Sequence, residues 1–249
     1  MSSSFAGVFD VRFGHGRAAS AIRLGAAEEL DQALVWLGLQ PSRPTIVLVG
    51  GAAALGDDDL HRLRPLFEAA IVPAAAAAGA FVVDGGTDVG VIRLMGTTRA
   101  DQSATFPLIG VAAVGTVALP GEEAEPHGEA LEPHHTHFLL VPGSRWGDEC
   151  RWLARTATRL SLGKPSLTIL VNGGEISLRD VRASIEEGRP VLAIGRTGRL
   201  AERVVREVRG HTRGALAAEL VDTGLIRAVV PQAGFESVRQ AINDALAAG

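Results

Sequence analysis

Cysteine, lysine and tyrosine are almost missing from this chain of 249 residues. It has one cysteine (Cys150), one lysine (Lys164) and no tyrosine. A single thiol forms neither an intrachain disulfide nor a thiolate metal cluster, so the composition argues against a disulfide-rich secreted domain and predicts a cytoplasmic location. The 24 basic and 28 acidic residues give a net charge of −4. This charge argues against a protein that coats nucleic acid.

Targeting and membrane segments are not expected from the sequence. The longest apolar stretch, residues 69–83, consists mostly of alanine and contains Pro73 and Gly79. A bilayer span needs about 20 strongly apolar residues, so no membrane insertion is predicted. The first residues carry no basic region ahead of an apolar run, so a secretory signal is not predicted either.

Glycine, in contrast, is abundant. It accounts for 30 of the 249 residues, or about 12 %, against an average near 7 %. Proline is ordinary at 12 residues, and hydrophobic residues make up 47 % of the chain. This combination excludes collagen-like, low-complexity and intrinsically disordered chains. The fold must therefore have positions that the additional glycine residues occupy.

Short apolar runs alternate with helical patterns along most of the chain. The runs at residues 45–49 and 167–171 are continuous rather than alternating, which is typical of strands buried on both faces. Strands separated by helices indicate βαβ units. The predicted fold is α/β: a single domain with a Rossmann-like, doubly wound, mainly parallel sheet and helices on both faces.

The predicted organisation has no linker and no internal repeat. Residues 1–44 are predicted to form an N-terminal lead-in, a strand and a helix packed on the Rossmann-like domain of residues 45–249. The helical pattern of residues 58–79 is predicted to break near Pro73. The polar stretch from Pro120 to Pro133 carries five acidic residues and is predicted to be a surface loop.

Five predicted strands end in glycine-rich turns that lead into helices. In a parallel sheet such turns share one edge, where open α/β folds bind ligands. Glycine lets the backbone approach a phosphate, and the next helix N-terminus offers free N–H groups. We therefore predict a phosphate-bearing ligand there; the simpler alternative is that each glycine only closes its turn. The candidate ligand-binding residues are Gly50, Gly51, Gly85, Gly86, Thr87, Asp88, Gly143, Ser144, Arg145, Trp146, Gly147, Asn172, Gly173, Gly174, Arg196, Thr197, Gly198 and Arg199.

Three of these candidates have polar side chains, and one of them has a specific alternative role. Thr87, Asp88 and Ser144 are suited to hydrogen bonds with sugar hydroxyls or phosphate oxygens. Asp88 is equally suited to a plain helix N-cap.

A histidine cluster is a candidate metal site. His134, His135 and His137 lie together, with His127 nearby. His135 and His137 are two apart at a strand entrance, so they are predicted to point to the same side. No cysteine completes a ligand set, so solvated or hydrogen-bonded histidines are favoured and no metal is predicted.

Two glutamates are candidate catalytic residues. Glu149 and Glu175 stand at the starts of predicted helices on the same sheet edge. Either carboxylate is suited to act as general base or nucleophile in cleaving an N-glycosidic bond. The alternative is a favourable charge in a first helical turn, which is common.

The order of motifs along the chain resembles the SLOG superfamily. It is most similar to the branch that forms the cytosolic N-terminal (LSDAT-type) region of melastatin-type transient receptor potential channels, which has free-standing prokaryotic relatives. The resemblance covers about residues 45–210. It is carried by Gly85-Gly86-Thr87-Asp88-Val89-Gly90-Val91, Met95-Gly96, Thr136-His137-Phe138-Leu139-Leu140-Val141, Trp146-Gly147-Asp148-Glu149, Asn172-Gly173-Gly174 and Gly198-Arg199.

The resemblance implies a fold that binds nucleotide-derived ligands, with NAD metabolites such as ADP-ribose or its cyclic forms as the leading candidates. By this resemblance, Gly85–Asp88 and Gly173-Gly174 contact the ligand and Arg199 binds its phosphate. Trp146 matches a family aromatic and is suited to stack on a base or ribose.

The chain departs from the family pattern at two places. A family arginine one helical turn beyond the Gly-x-Glu falls at Leu153, which leaves Arg151 or Arg155 to replace it. The turn Gly173–Ser177 also lacks the second Gly-Thr of the channel pattern and the Gly-Gly-x-Gly-Thr-x-x-Glu of the phosphoribohydrolase branch. The second departure argues against hydrolysis.

The sequence therefore predicts a cytoplasmic sensor or binding domain for a nucleotide-derived ligand. The expected partners are a small-molecule nucleotide of the ADP-ribose type, a separate effector protein and further copies of the chain in a homo-oligomer; no cofactor is required. One alternative is a hydrolase of N-glycosidic bonds in NAD or a nucleoside monophosphate, with Glu149 or Glu175 catalytic. Another is a structural oligomerisation domain with a vestigial cleft.

Overall fold

The computed structural model describes residues 7–52, 55–121, 128–212, 214 and 219–247. Residues 122–127, which include His127, lie outside the described residues. The strands are β1 (Phe9–Arg12), β2 (Ala18–Arg23), β3 (Thr45–Gly50), β4 (Phe81–Asp84), β5 (Leu108–Ala113), β6 (Val117–Ala118), β7 (Glu129–Ala130), β8 (His137–Val141), β9 (Ser166–Val171), β10 (Val191–Ile194) and β11 (Ile226–Val229). The helices are α1 (Leu30–Trp36), α2 (Asp57–Leu66), α3 (Val72–Ala77), α4 (Gly90–Asp101), α5 (Cys150–Ser161), α6 (Glu175–Glu186), α7 (Arg199–Val208) and α8 (Glu236–Ala247).

A nine-stranded sheet in the order β1-β2-β8-β5-β4-β3-β9-β10-β11 forms the centre of the molecule. Its neighbouring strands are parallel except β1 and β2, which are antiparallel. From β3 the chain first moves outward through β4, β5 and β8, and then returns to place β9 on the other side of β3. The predicted doubly wound α/β fold is confirmed, and its strand order reverses between β3 and β9.

Helices cover both faces of this sheet. Helices α1, α5, α6 and α7 contribute to the apolar core on one face, whereas α2, α3, α4 and α8 contribute to the core on the other. Within β3, Val47 and Val49 belong to the first core, and Ile46 and Leu48 belong to the second. This two-sided burial explains why the strand is a continuous apolar run.

The sequence predicts one strand and one helix in the N-terminal segment. The segment contains two strands, β1 and β2, as well as helix α1. Strand β2 pairs in parallel with β8, with Ala21 opposite Phe138, and β1 pairs with β2. Residues 9–23 are therefore part of the main sheet. The sequence of β2 is rich in alanine and has low intrinsic strand propensity, so pairing with β8 decides its conformation.

The predicted break near Pro73 is instead a change in helical geometry. A π-helical turn, Phe67–Ile71, joins α2 to α3 without a gap. Pro73 cannot donate a hydrogen bond to the carbonyl four residues before it, and the wider π turn directly ahead accommodates the proline ring. No helix among the described residues is long and apolar enough to span a bilayer.

Candidate functional site

The five glycine-rich turns follow β3, β4, β8, β9 and β10, so they lie along one edge of the sheet, as predicted. Adjacent turns are in direct backbone contact. Val91 at the start of α4 donates a 2.9 Å hydrogen bond to the carbonyl of Gly51. Gly90 has φ of +54°, and a Cβ at this position would lie 2.1 Å from the Gly51 carbonyl oxygen. Only glycine fits there, because both the conformation and the contact exclude a side chain.

A cavity of about 230 Å³ lies at this edge, beside the point where the strand order reverses. Its walls come from the turns after β3 and β4, the end of β5, the turn before α5 and the beginning of α6. Apolar side chains such as Ile92, Leu153 and Ile176 form much of its surface. Five of the predicted site residues line it: Gly50, Gly85, Thr87, Trp146 and Glu149.

Two buried carboxyl groups line this apolar cavity, and the half-buried Glu129 of β7 lines it as well. Glu149, directly before α5, is 7 % exposed, and Asp180 on α6 is 9 % exposed. Burial raises the pKa of Glu149, although hydrogen bonds from the backbone N–H groups of Glu149 and Gly147 partly oppose the effect. Burial also raises the pKa of Asp180 to about 7; the Cys150 thiol lowers it and the charge of Glu149 raises it. Near neutral pH the cavity therefore holds a carboxyl that exchanges a proton readily.

Glu149 is held by the turn before α5, whereas Asp180 lies in the second turn of α6. The backbone N–H of Gly147 donates a 2.9 Å hydrogen bond to Oε2 of Glu149. Ser177 and Asp180, three residues apart, both face the cavity from α6. Oδ1 of Asp180 is buried and has no hydrogen-bond partner within the described part of the chain.

Arg199 lies beside the N-terminus of α6. Leu200 and Ala201 at the start of α7 donate backbone hydrogen bonds of 3.2 and 2.8 Å to the carbonyls of Gly173 and Asn172. These bonds hold α7 against the turn that precedes α6. A Cβ on Gly174 would lie 3.0 Å from Nη2 of Arg199. The exposed guanidinium and the positive end of α6 therefore lie together at the edge of the sheet.

Two predicted ligand-binding side chains are instead used inside the protein. Nδ2 of Asn172 donates a 2.7 Å hydrogen bond to the carbonyl of Thr197, and Oδ1 accepts one of 2.8 Å from the Gly173 N–H. The Thr197 hydroxyl accepts a 2.8 Å bond from the Asn172 N–H and donates one to the Ile194 carbonyl. Both residues are buried and fix the turn after β9 to the turn after β10.

Asp88 pairs with an arginine and is not a helix cap. Nε of Arg93 donates a 2.8 Å hydrogen bond to its carboxylate, and Nη2 of Arg93 contacts its carbonyl oxygen. The N-cap of α4 is Val89, which has no capping side chain. The N-cap alternative for Asp88 is therefore wrong.

The turn before α5 is exposed, and the carboxylate of Asp148 binds its backbone. Asp148 accepts hydrogen bonds of 3.0 and 3.1 Å from the backbone N–H groups of Ser144 and Arg145. These bonds hold the pKa of Asp148 below its usual range. The side chains of Ser144, Arg145 and Trp146 are exposed in this turn, with Trp146 at the cavity.

Two other predicted residues point away from the cavity. Nη1 of Arg196 donates a 3.2 Å hydrogen bond to the carbonyl of Pro231. Glu175 is exposed in the first turn of α6 and pairs with Arg179 at 3.4 Å. Glu175 therefore matches the alternative prediction of an exposed charge in a first helical turn. Glu149, in contrast, lines the cavity.

A model of the family described as SLOG in TRPM, prokaryote, matches residues 43–239 of the chain. The chain belongs to this family. It is 28 % identical over 189 residues, 61 % of its length, to the transient receptor potential cation channel subfamily M member-like 2 of Nematostella vectensis. It is 23 % identical over 184 residues, 58 % of its length, to subfamily M member 2 of Mus musculus. In both cases the matched region is 12 % of the channel's length.

The fold of this SLOG domain is also found in a solved structure. The X-ray structure of TM1055, a structural genomics target, aligns with a TM-score of 0.51 and 16 % sequence identity. The alignment covers 81 % of this chain and 99 % of TM1055. At this identity the likeness concerns the fold alone.

Neither arginine expected to replace the family's missing arginine reaches the cavity. Arg151 and Arg155 line a separate surface depression between α5 and α6, where Arg151 approaches Glu186 at 3.8 Å. Leu153 itself lines the cavity. Arg179 of α6 lies beside the turn before α5, since a Cβ on Gly147 would lie 3.0 Å from its Nη1. The expectation for Arg151 and Arg155 is therefore wrong.

The sequence argument missed Ser177 and Asp180. Counted from Gly173, they occupy the threonine and glutamate positions of the Gly-Gly-x-Gly-Thr-x-x-Glu pattern, while Ile176 replaces the third glycine. The strict pattern is absent, but Ser177 supplies a hydroxyl in place of the threonine and Asp180 supplies a carboxyl in place of the glutamate. Their spacing of three, which puts both on one face of a helix, was the available signal.

The histidine cluster forms a buried hydrogen-bond network. His135 lies between Asp84 and Glu132, at 2.8 Å from each carboxylate, and Nδ1 of His134 contacts Glu132 at 2.5 Å. Glu132 is fully buried, so the prediction of a surface loop up to Pro133 is wrong at its end. Ion pairing and hydrogen bonding with the histidines offset the cost of this burial.

The prediction that His135 and His137 point to the same side is also wrong. His135 stacks on Phe138, with ring centroids 5.2 Å apart. His137 instead lies near the backbone of Leu37, the residue that follows α1. Strand β8 begins only at His137, so strand alternation does not extend to His135. Among the described residues no three His, Cys, Asp or Glu side chains are arranged to hold a metal ion.

Proposed function

We propose that this SLOG domain binds a nucleotide-derived ligand of the ADP-ribose type, with a glycosyl or base group in the cavity and a phosphate beside Arg199. The observation that carries the proposal is the position of the cavity, next to the reversal of strand order and the N-terminus of α6. Ligands of doubly wound sheets bind at this place. A sensory role with a separate effector, in a homo-oligomer, belongs to the same proposal.

Charge supports this orientation of the ligand. Glu149 and Asp180 line the cavity, and their carboxyl groups can accept hydrogen bonds from, or donate them to, hydroxyl and amino groups. In their charged form the same groups repel a phosphate. Arg199 is not among the residues that line the cavity; it lies beside the N-terminus of α6, and its charge and the helix dipole both favour an anion there. A molecule with a polar, uncharged end and an anionic end matches this arrangement.

The size of the cavity supports the same division. Pockets that enclose whole drug-sized ligands usually measure about 300–1,000 Å³. The present cavity of about 230 Å³ is smaller. It is therefore suited to part of a nucleotide, with the remainder extending to the exposed edge where Trp146 and Arg199 lie.

Isothermal titration calorimetry tests the proposal. ADP-ribose, cyclic ADP-ribose, NAD and AMP are titrated into the protein, together with adenosine and ribose 5-phosphate as separate halves of a nucleotide. We expect binding of at least one adenine nucleotide, and weaker binding of either half. The absence of binding by every compound at millimolar concentration contradicts the proposal and favours a structural oligomerisation domain.

A second candidate function, hydrolysis of an N-glycosidic bond, is favoured by the pair Glu149 and Asp180. With AMP, a protonated carboxyl donates its proton to the departing adenine as the C–N bond breaks, whereas the nicotinamide of NAD leaves as a neutral molecule and needs no proton. The other carboxylate accepts a proton from the water whose oxygen bonds to the sugar carbon. The pKa of Asp180, about 7, suits the proton donor near neutral pH.

Chromatographic detection of free base tests this second function. NAD and AMP are incubated with the protein and with the variants Asp180→Asn and Glu175→Gln. If the domain is a hydrolase, Asp180→Asn loses at least about 100-fold in rate with AMP as substrate, whereas the exposed Glu175→Gln keeps the rate of the unmodified protein. Binding without release of base supports the sensor and excludes the hydrolase for these substrates.

A further inference from the structure

The turn after β4 is held by the buried network around His135. Oδ1 of Asp84 accepts hydrogen bonds of 2.8 Å from both the Gly86 N–H and Nε2 of His135. On the other side of the turn, the Glu132 N–H donates a 2.9 Å bond to the Gly86 carbonyl. His135 therefore connects two carboxyl residues that each bind the backbone of Gly86.

The same segment contacts the next two residues of the turn. Thr87 forms an antiparallel bridge with Leu131, and the Asp88 N–H donates a 2.7 Å hydrogen bond to the carbonyl of Ala130. Thr87 lines the cavity, as does Gly85 just before it. The position of this wall of the cavity consequently depends on the segment that carries Glu132.

Both ring nitrogens of His135 face carboxylate oxygens. A neutral imidazole has one N–H and donates to one of them, whereas an imidazolium donates to both. Burial alone would lower the pKa of His135, but the charges and hydrogen bonds of Asp84 and Glu132 raise it to about 9. The side chain is therefore an imidazolium at neutral pH.

Three further groups surround this network. His134 contacts Glu132, and Arg99 of α4 adds a positive charge near Glu132 while its Nη1 donates to the His134 carbonyl. Burial would raise the pKa of Glu132, but His135 and His134 together hold it below its usual range. Two carboxylates thus face the imidazolium and the guanidinium. Such a buried cluster adds little net stability, but it fixes orientation.

We propose that His135 is a positioning residue of the ligand site, which as an imidazolium holds the Gly86–Asp88 turn in the geometry that forms the cavity wall. The proposal rests on the proposed function for its effect on binding. When His135 loses its proton, one of the two carboxylates loses its hydrogen bond from the ring. We expect the Gly86–Asp88 turn to move as a result, and ligand binding to weaken.

Nuclear magnetic resonance of the ligand-free protein tests the positioning role directly. The His135 ring nitrogens and the amides of Gly86, Thr87 and Asp88 are followed from pH 6 to 10. We expect the ring to titrate near pH 9 and the three amides to shift with the same midpoint. Titration of the ring near pH 6.5, or amides that do not follow it, overturns the proposal.

Variants separate this role from simple stabilisation. Glu132→Gln removes one charge that faces the imidazolium, so the midpoint should fall by at least about one pH unit while the coupled amide shifts remain. Asp84→Asn should act in the same direction. The control His61→Asn, at an exposed histidine of α2, should leave the midpoint unchanged. An unchanged midpoint in a folded Glu132→Gln variant also overturns the proposal.

Calorimetry with ADP-ribose as probe connects the network to binding. We expect the affinity of the unmodified protein to fall at least about tenfold between pH 7.5 and 10, and that of Glu132→Gln to fall at lower pH. Equal pH profiles contradict the inference. If no nucleotide binds but the amides titrate with His135, the proposed function fails and the positioning of the turn stands.

Discussion

The hydroxyl of Ser177 donates a 2.9 Å hydrogen bond to the carbonyl oxygen of Gly50 and also accepts one of 3.3 Å from the N–H of Gly174. The first bond joins α6 to the end of β3, across the line where the strand order reverses. The second satisfies a backbone donor just before α6.

Replacing Ser177 should therefore weaken the protein at the site. Ser177→Ala leaves the Gly50 carbonyl and the Gly174 N–H without this partner, so we expect the free energy of unfolding to fall by about 1–3 kcal/mol. Urea denaturation followed by circular dichroism measures the change. The control Ser237→Ala, at an exposed serine of α8, should stay within about 0.5 kcal/mol of the unmodified protein. Equal stabilities would contradict the assigned role.

The raised pKa of Asp180 makes stability depend on pH. The folded protein retains the proton up to about pH 7, whereas the unfolded chain loses it near pH 4. The contribution of Asp180 to the free energy of unfolding should consequently decrease as the pH rises between these values, and then level off. In Asp180→Asn this decrease should disappear, and the variant should exceed the unmodified protein at pH 8 by about 2–4 kcal/mol. Denaturation at several pH values measures both profiles, and parallel profiles would contradict the assignment.

Arg199 should contribute to affinity and not to folding. Arg199→Ala removes a charged donor beside the α6 N-terminus, so the affinity for the best-binding nucleotide should fall by about 10- to 100-fold, while the melting temperature stays nearly unchanged. The matched control is Arg203→Ala, an exposed arginine one turn further along α7. Equal affinities of the two variants would remove Arg199 from the site.

Gly96 of α4 provides the space that Glu132 occupies. A Cβ at Gly96 would lie 2.1 Å from Oε2 of Glu132. Gly→Ala within a helix usually stabilises by about 0.5–1 kcal/mol, but here we expect Gly96→Ala to destabilise by about 1–3 kcal/mol. A double-mutant cycle with Glu132→Ala measures the coupling by urea denaturation. The cost of Gly96→Ala should shrink in the Glu132→Ala background, and a constant cost would contradict the contact.

Much of the architecture could be predicted because it follows from local sequence. Continuous apolar runs such as Thr45–Val49 require burial on both faces, and the glycines after them mark the ends of parallel strands. These two signals place the turns along one edge without knowledge of the strand order. They also identify part of the cavity, including Gly50, Thr87 and Glu149.

The remaining features depend on contacts between distant segments. Strand β2 forms because β8 pairs with it, which its alanine-rich sequence does not indicate. Asp180 resembles a surface residue within a helix, and Glu132 ends an acidic stretch; both are buried because of what packs around them. For Glu132 the decisive partner is His135, and for Asp180 the neighbouring groups are Cys150 and Glu149 at the beginning of α5.

The return of the chain to β9 gives this fold a seam between β3 and β9. Strands from residues 9–23 and 45–141 build the sheet on one side of the seam, and residues 166–229 build it on the other. The cavity takes its walls from both sides, with Thr87 from one and Ser177 from the other. A ligand seated there would brace the two halves of the sheet against each other, so its arrival would change the stiffness of the whole molecule.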